Sequence, residues 1–321
     1  MEKLYGLPVL FSGVASLVLN PTDINLINQH YKKVLSNLLK LHRGTPAPFI
    51  YFVAGSLPGQ AILHLRQLSL FSMICYLQED PLHKRAKKSL TSCSKSAKSW
   101  FTQIRDICLQ YDLPHPLRLL ETPISKQRLK KLAKSKVIDY WETKLRANTT
   151  SLNSLSYFKP EFHSLLHAHP ILWTAGSNPY EVSKALVQCK MLSGRYRTEL
   201  LASHWSHNKR GFCLAPTCSE IQETLEHILL FCPSYNHDRE RLLKLWNETK
   251  NQTVAEVIAL ILAEGTQSHI QFLLDPSVHP RLIEAVPFEG HEPLKIAFHL
   301  TRTWCFTIHR SRAKLLGRWV S

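Results

Sequence analysis

The chain reads as a mainly α-helical protein, and three observations lead there. Apolar residues recur every three or four positions along several stretches, prolines and glycines punctuate those stretches, and no repeat or low-complexity tract interrupts them. With 321 residues, 44% of them hydrophobic, there is enough chain for a substantial core and one to three domains.

Taken in order, the apolar run Leu7–Leu19 forms a short strand or helix. It lacks the basic leader of a signal peptide, because Glu2 offsets Lys3, and it is shorter than the ~20 apolar residues a bilayer span needs. After Pro21, with Thr22 or Asp23 as cap, Ile27, Tyr31, Val34, Leu38 and Leu41 predict a helix that Gly44, Pro46 and Pro48 close. A second helix follows LPGQ, with Leu63, Leu70, Ile74 and Leu77 on one side and Pro81 as its stop.

The composition changes across 81–150. Sixteen Lys and Arg face five Asp and Glu there, which is eleven of the chain's sixteen net positive charges. One cluster holds Lys84, Arg85, Lys87 and Lys88; the other holds Lys126, Arg128, Lys130, Lys131, Lys134 and Lys136. The loop LPHPLRLLETP separates them. Ile124, Leu129, Leu132, Val137 and Ile138 interleave with the second cluster at near-helical spacing, so its cations line the outer face of an amphipathic helix. Such a face is either merely solvated or a phosphate contact; two clusters and the global excess favour the phosphate.

From Glu181 a helix is expected through MLSGRYRTELLASHW. Arg195, Tyr196, Arg197, Lys209, Arg210 and Phe212 mix cations with rings, which suits stacking on bases or, equally, core aromatics beside long basic side chains. Residues 238–246 and 253–263 read as helices. The last helix runs from Pro293 to Leu316 with Ala297, Leu300, Trp304 and Ile308 as its apolar seam and Arg302, Arg310, Arg312, Lys314 and Arg318 as a basic end.

Three of eight cysteines fall within twenty residues, in CLAPTCSEIQETLEHILLFCP. Cys213, Cys218, His227 and Cys232 have the spacing Cys-x4-Cys-x8-His-x4-Cys, a donor set suited to one tetrahedral structural zinc ion. Ala215 and Pro216 favour a turn between the first two thiols, and Thr224 caps a helix carrying His227. On an ideal helix, five residues turn by about 500°, so His227 and Cys232 share a face only if that helix ends near Phe231. The competing readings are a buried His227 among hydrophobic cysteines, or His204, His207 or His237 as fourth ligand. Cys75, Cys93, Cys108, Cys189 and Cys305 are isolated, which suits a reducing compartment, the nucleus or cytoplasm.

The string RGFCLAPTCSEIQETLEHILLFCPSY resembles the zinc-binding segment that follows the polymerase domain in reverse transcriptases of non-LTR, LINE-type retrotransposons. DYWETKLRANTTSLNSLSYF and MLSGRYRTELLASHW resemble the linker before it, while LPVLFSGVASLVLN and FVAGSLPGQAILHLRQLSLF resemble the end of the palm and the helical thumb. The resemblance covers residues 1–246. It implies a thumb-like region at 1–80, a basic linker at 81–150 and a helical region at 151–246 with the zinc segment at about 205–240; beyond it, the periodicity alone predicts a C-terminal helical region at 247–321. The resemblance also implies RNA or target DNA as partner, Cys213, Cys218, His227 and Cys232 as zinc ligands, and association with the polymerase part of a related element.

The chain departs from that family at its catalytic core. Polymerases of this kind hold two metal ions on clustered carboxylates, whereas no Asp-Asp pair occurs here. Nuclease, nucleophile-elbow, phosphate-loop and dinucleotide motifs are also missing. The expectation is a non-catalytic nucleic-acid-binding fragment. The alternatives are a zinc-organised protein-interaction module and a decayed element fragment without function.

Overall fold

The computed structural model describes residues 11, 13–77, 80–92, 99–206, 210–218, 220–285 and 291–317. In chain order its helices are α1 (Pro21–Leu38), α2 (Ala47–Ala54), α3 (Gly59–Ile74), α4 (Pro81–Ser92), α5 (Trp100–Gln110), α6 (Pro116–Glu121), α7 (Lys126–Thr150), α8 (Pro170–Trp173), α9 (Pro179–Leu192), α10 (Glu199–Ser203), α11 (Asn236–Asn247), α12 (Gln252–Glu264), α13 (Thr266–Leu274), α14 (Pro280–Ala285) and α15 (His291–Leu315). Among the described residues the only β-type pairing is one antiparallel bridge, Phe212 with Gln222. The protein is mainly helical, as its periodicity requires. No helix among the described residues is long and apolar enough to cross a membrane.

Contacts divide the chain into two compact units, residues 1–34 with 57–147, and residues 35–56 with 148–321. In the first unit α4 packs on α5 and α6, and α3 on α5. Helix α7 buries Leu129, Ala133, Val137, Trp141 and Leu145, a strip with four-residue spacing that leaves the opposite face to water. A buried polar knot fixes that strip: the Trp141 indole donates to the Tyr111 hydroxyl at 3.0 Å, and His64 Nδ1 lies 2.8 Å from the same oxygen. Burial lowers the His64 pKa to about 4.

The second unit is built on α15. It packs against α9, α11 and α13, with Ala297, Phe298, Trp304, Cys305 and Ile308 almost fully buried. Gln188 of α9 ties this core by donating to the Leu273 carbonyl at 2.7 Å and the Thr301 hydroxyl at 3.0 Å.

Several elements differ from the sequence expectations. The Pro46–Pro48 segment does not only close a helix; it starts α2, which Gly55 ends in the left-handed region, φ 59°. Pro81 likewise opens α4 instead of stopping α3, and Pro116 opens α6 inside the supposed loop, because proline suits a first helical turn. On α1 the buried line is Tyr31 and Leu35, whereas Val34 and Leu38 are exposed. Leu77 is exposed beyond the end of α3. The helix expected from Glu181 to Trp205 is two helices, α9 and α10. Gly194 breaks it at φ 63°, where an added Cβ would sit 1.7 Å from the Ser154 carbonyl oxygen, so only glycine fits.

Candidate metal centre and basic face

Residues 211–223 form a tight hairpin-like loop. Cys213 N donates to the Ile221 carbonyl at 2.8 Å, Glu223 N to the Gly211 carbonyl at 2.9 Å, and Cys218 N to the Ala215 carbonyl at 2.9 Å. The last bond is the expected turn between the first two thiols. It brings Cys213 and Cys218 to one side.

The other pair sits on a turn of unusual pitch. His227–Phe231 is a π-helical segment, and Cys232 N donates to the His227 carbonyl at 2.7 Å, an i→i+5 bond. The helix ends at Phe231, as the shared face requires, with Cys232 extended just beyond it, and the widened turn adds to this by returning the chain over His227 after five residues. Thr224 caps the segment by accepting from His227 N at 3.1 Å.

The result is a buried Cys3His cluster whose four ligand atoms lie within 4.8 Å of one another. The sulfurs of Cys213 and Cys232 are 3.9 Å apart and those of Cys218 and Cys232 are 3.6 Å apart. A disulfide would need about 2.05 Å. Thiolates bound at ~2.3 Å to a tetrahedral ion are separated by about 3.8 Å, so both spacings fit a metal. His227 Nε2 is buried and has no hydrogen-bond partner, a cost that a bound cation would remove. Burial also pushes the Cys232 thiol up to about 12, raises that of Cys213 and lowers the His227 pKa. The cluster can hold one metal ion through protein ligands alone. His204 and His237 lie outside it, and His207 is outside the described residues.

What braces this cluster was not legible in the sequence. Arg312, on α15, makes a two-pronged ion pair with Glu223, Nε to Oε1 at 2.9 Å and Nη2 to Oε2 at 2.7 Å. Glu223 Oε2 also accepts from Glu199 N at 2.5 Å. The Trp304 indole donates to the Leu229 carbonyl at 3.2 Å, and Arg239 donates to the Cys232 carbonyl at 2.6 Å. Arg312 and Arg302 are therefore not part of a solvated basic end. Both are buried, Arg302 against Glu181 at 2.8 Å. No spacing rule links an acid to a base 89 residues away.

The sequence-predicted contact residues separate by exposure. Lys84, Arg85, Lys87 and Lys88 are exposed on α4 while Ala86 and Leu90 of the same helix are buried. Lys126, Arg128, Lys130, Lys131 and Lys134 are exposed on α7, and Lys136 pairs with Asp112 at 2.7 Å. Near the cluster, Arg197 and Arg210 are exposed, Arg195 and Phe212 are half-buried, and Lys209 is outside the described residues. Tyr196 is only 7% exposed. Its hydroxyl meets His309 Nδ1 at 2.9 Å and the Arg312 guanidinium covers its ring at 5.7 Å, so it belongs to the core and offers no face to a base.

Comparison with protein-family models, curated proteins and solved structures gives no match to this chain.

Proposed function

We propose that the protein binds nucleic acid without acting on it, as the thumb, linker and zinc-segment portion of a LINE-type reverse transcriptase. The observation that carries this reading is α7. Five Lys and Arg side chains from 126 to 134 stand exposed while Leu129, Ala133 and Val137 of the same stretch are buried. The cations are thus spread over the exposed surface of a packed helix, and α4 adds four more. Such a concentration of positive charge favours a phosphate backbone of either RNA or DNA.

The ion assigned to the Cys3His cluster is zinc. Three thiolates and an imidazole suit it, and four protein ligands leave no position open for water, which makes the site structural. Its task is to hold the 211–232 loop, with Arg210 exposed beside it, on α15. The non-catalytic part of the proposal follows from the isolated carboxylates of the sequence; primer extension by the purified chain would overturn it.

Filter binding with RNA and DNA tests the binding reading. With about five phosphates neutralised, affinity should fall roughly 10²–10³-fold between 50 and 200 mM salt. A salt-independent affinity, or none at low salt, would sink it.

A further inference from the structure

A second cluster of metal-ligating side chains lies in the unit of residues 35–56 and 148–321, and the family resemblance says nothing about it. His163, His169 and Asp275 are all buried, and their three ligand atoms face one another. Asp275 Oδ2 is 3.2 Å from His163 Nε2 and 3.0 Å from His169 Nε2, and the two nitrogens are 3.1 Å apart. We propose that these three residues hold a second divalent transition-metal ion.

The triangle has nearly equal edges. Nitrogen and oxygen ligands bound at ~2.0 Å to a tetrahedral ion stand about 3.3 Å apart, within a few tenths of an ångström of all three edges. Protons explain the triangle less well. If both imidazoles donate to Asp275 Oδ2, two N–H donors are left 3.1 Å from each other with nothing between them. A cation bonded to all three lone pairs removes that conflict and offsets the buried carboxylate charge.

The surroundings are those of an oriented ligand set. Ser277 saturates the other carboxylate oxygen, Oδ1, through its hydroxyl at 2.6 Å and its amide at 3.2 Å, which turns Oδ2 toward the histidines. The Phe158 ring stacks on His163 at 5.4 Å and Phe298 meets His169 edge-on at 6.4 Å, so aromatic rings hold both imidazoles in place. One contact favours the proton-linked form: Ile171 N donates to His169 Nδ1 at 3.1 Å, which places the imidazole proton on Nε2. Metal on Nε2 moves that proton to Nδ1 and opens the Ile171 contact at the start of α8. An N2O donor set of this kind suits zinc, iron or cobalt.

Metal analysis of the full chain, purified from zinc-supplemented medium, decides the matter together with cobalt reconstitution. The expected content is about two ions per chain, one giving the intense thiolate-to-cobalt charge-transfer absorption of the cysteine site and one giving weak bands alone. His163→Gln should lose the second ion and keep the thiolate absorption. Cys213→Ser should do the reverse. A wild-type content of about one ion, with the thiolate absorption and unchanged in His163→Gln, would reduce the cluster to a hydrogen-bonded triad and overturn the proposal. One ion without thiolate absorption would support it while sinking the Cys3His assignment. Wild-type content and spectrum decide even if a variant fails to fold.

Discussion

At the scale of single residues, a tight constraint outside the thiols is Glu223, 1% exposed, against Arg312, 5% exposed. Removing one partner strands a buried charge, so Glu223→Gln should cost about 3–5 kcal/mol in urea unfolding. Replacing both with methionine should cost less than the single change, because no charge is then left behind. His64 supplies a pH test. Its folded pKa, about 4, is below the ordinary 6.5, so below pH 6.5 the unfolded chain binds the proton more readily and stability falls until pH passes the folded value. His269 and His309, also lowered to about 4 by burial, act in the same direction. Urea midpoints should therefore decline from pH 7 to pH 4.5, and His64→Gln should flatten part of that slope, by roughly 3 kcal/mol at most.

At the scale of elements, helix α7 shows how pattern becomes surface. Its buried strip advances four residues at a time, and every Lys and Arg from 126 to 134 falls off the strip. Charge reversal there separates fold from function. Lys130→Glu with Lys134→Glu should leave helicity and unfolding temperature nearly unchanged, yet weaken RNA and DNA binding and reduce its salt slope by about two. An unchanged slope would count against a phosphate contact on α7. The π-helical turn makes the opposite case. Its sequence, HILLF before Cys-Pro, reads as an ordinary helix end, because propensity distinguishes helix from coil but not an i→i+4 from an i→i+5 bond. The Cys232 amide bond to the His227 carbonyl and the packing of Ile228 and Leu229 select the wider turn. The α9–α10 break is similar: RYR looked like continuing helix, and the close approach of Ser154 to Gly194 decided otherwise.

At the scale of the molecule, the C-terminal helix gains a role that the local sequence did not suggest. Through Trp304 and Arg312, α15 holds both the π segment and the 211–223 loop, so an ion held by the Cys3His cluster would be coupled to the core of that unit. Chelation should raise amide exchange by at least about tenfold across 211–240 and along α15 from Trp304 to Arg312, while leaving α7 protected. Equal change in all helices, or none, would contradict that coupling.

The sequence by itself determined the helical class, the amphipathic basic helix and the four donors of the Cys3His cluster, because each depends on spacing along a short stretch of chain. Only the tertiary structure decided which cations stay in water and which are buried beside acids, that Tyr196 is core, and that His163 and His169 meet Asp275. These depend on which distant segments pack together, and pairs separated by about a hundred residues leave no local periodicity to read.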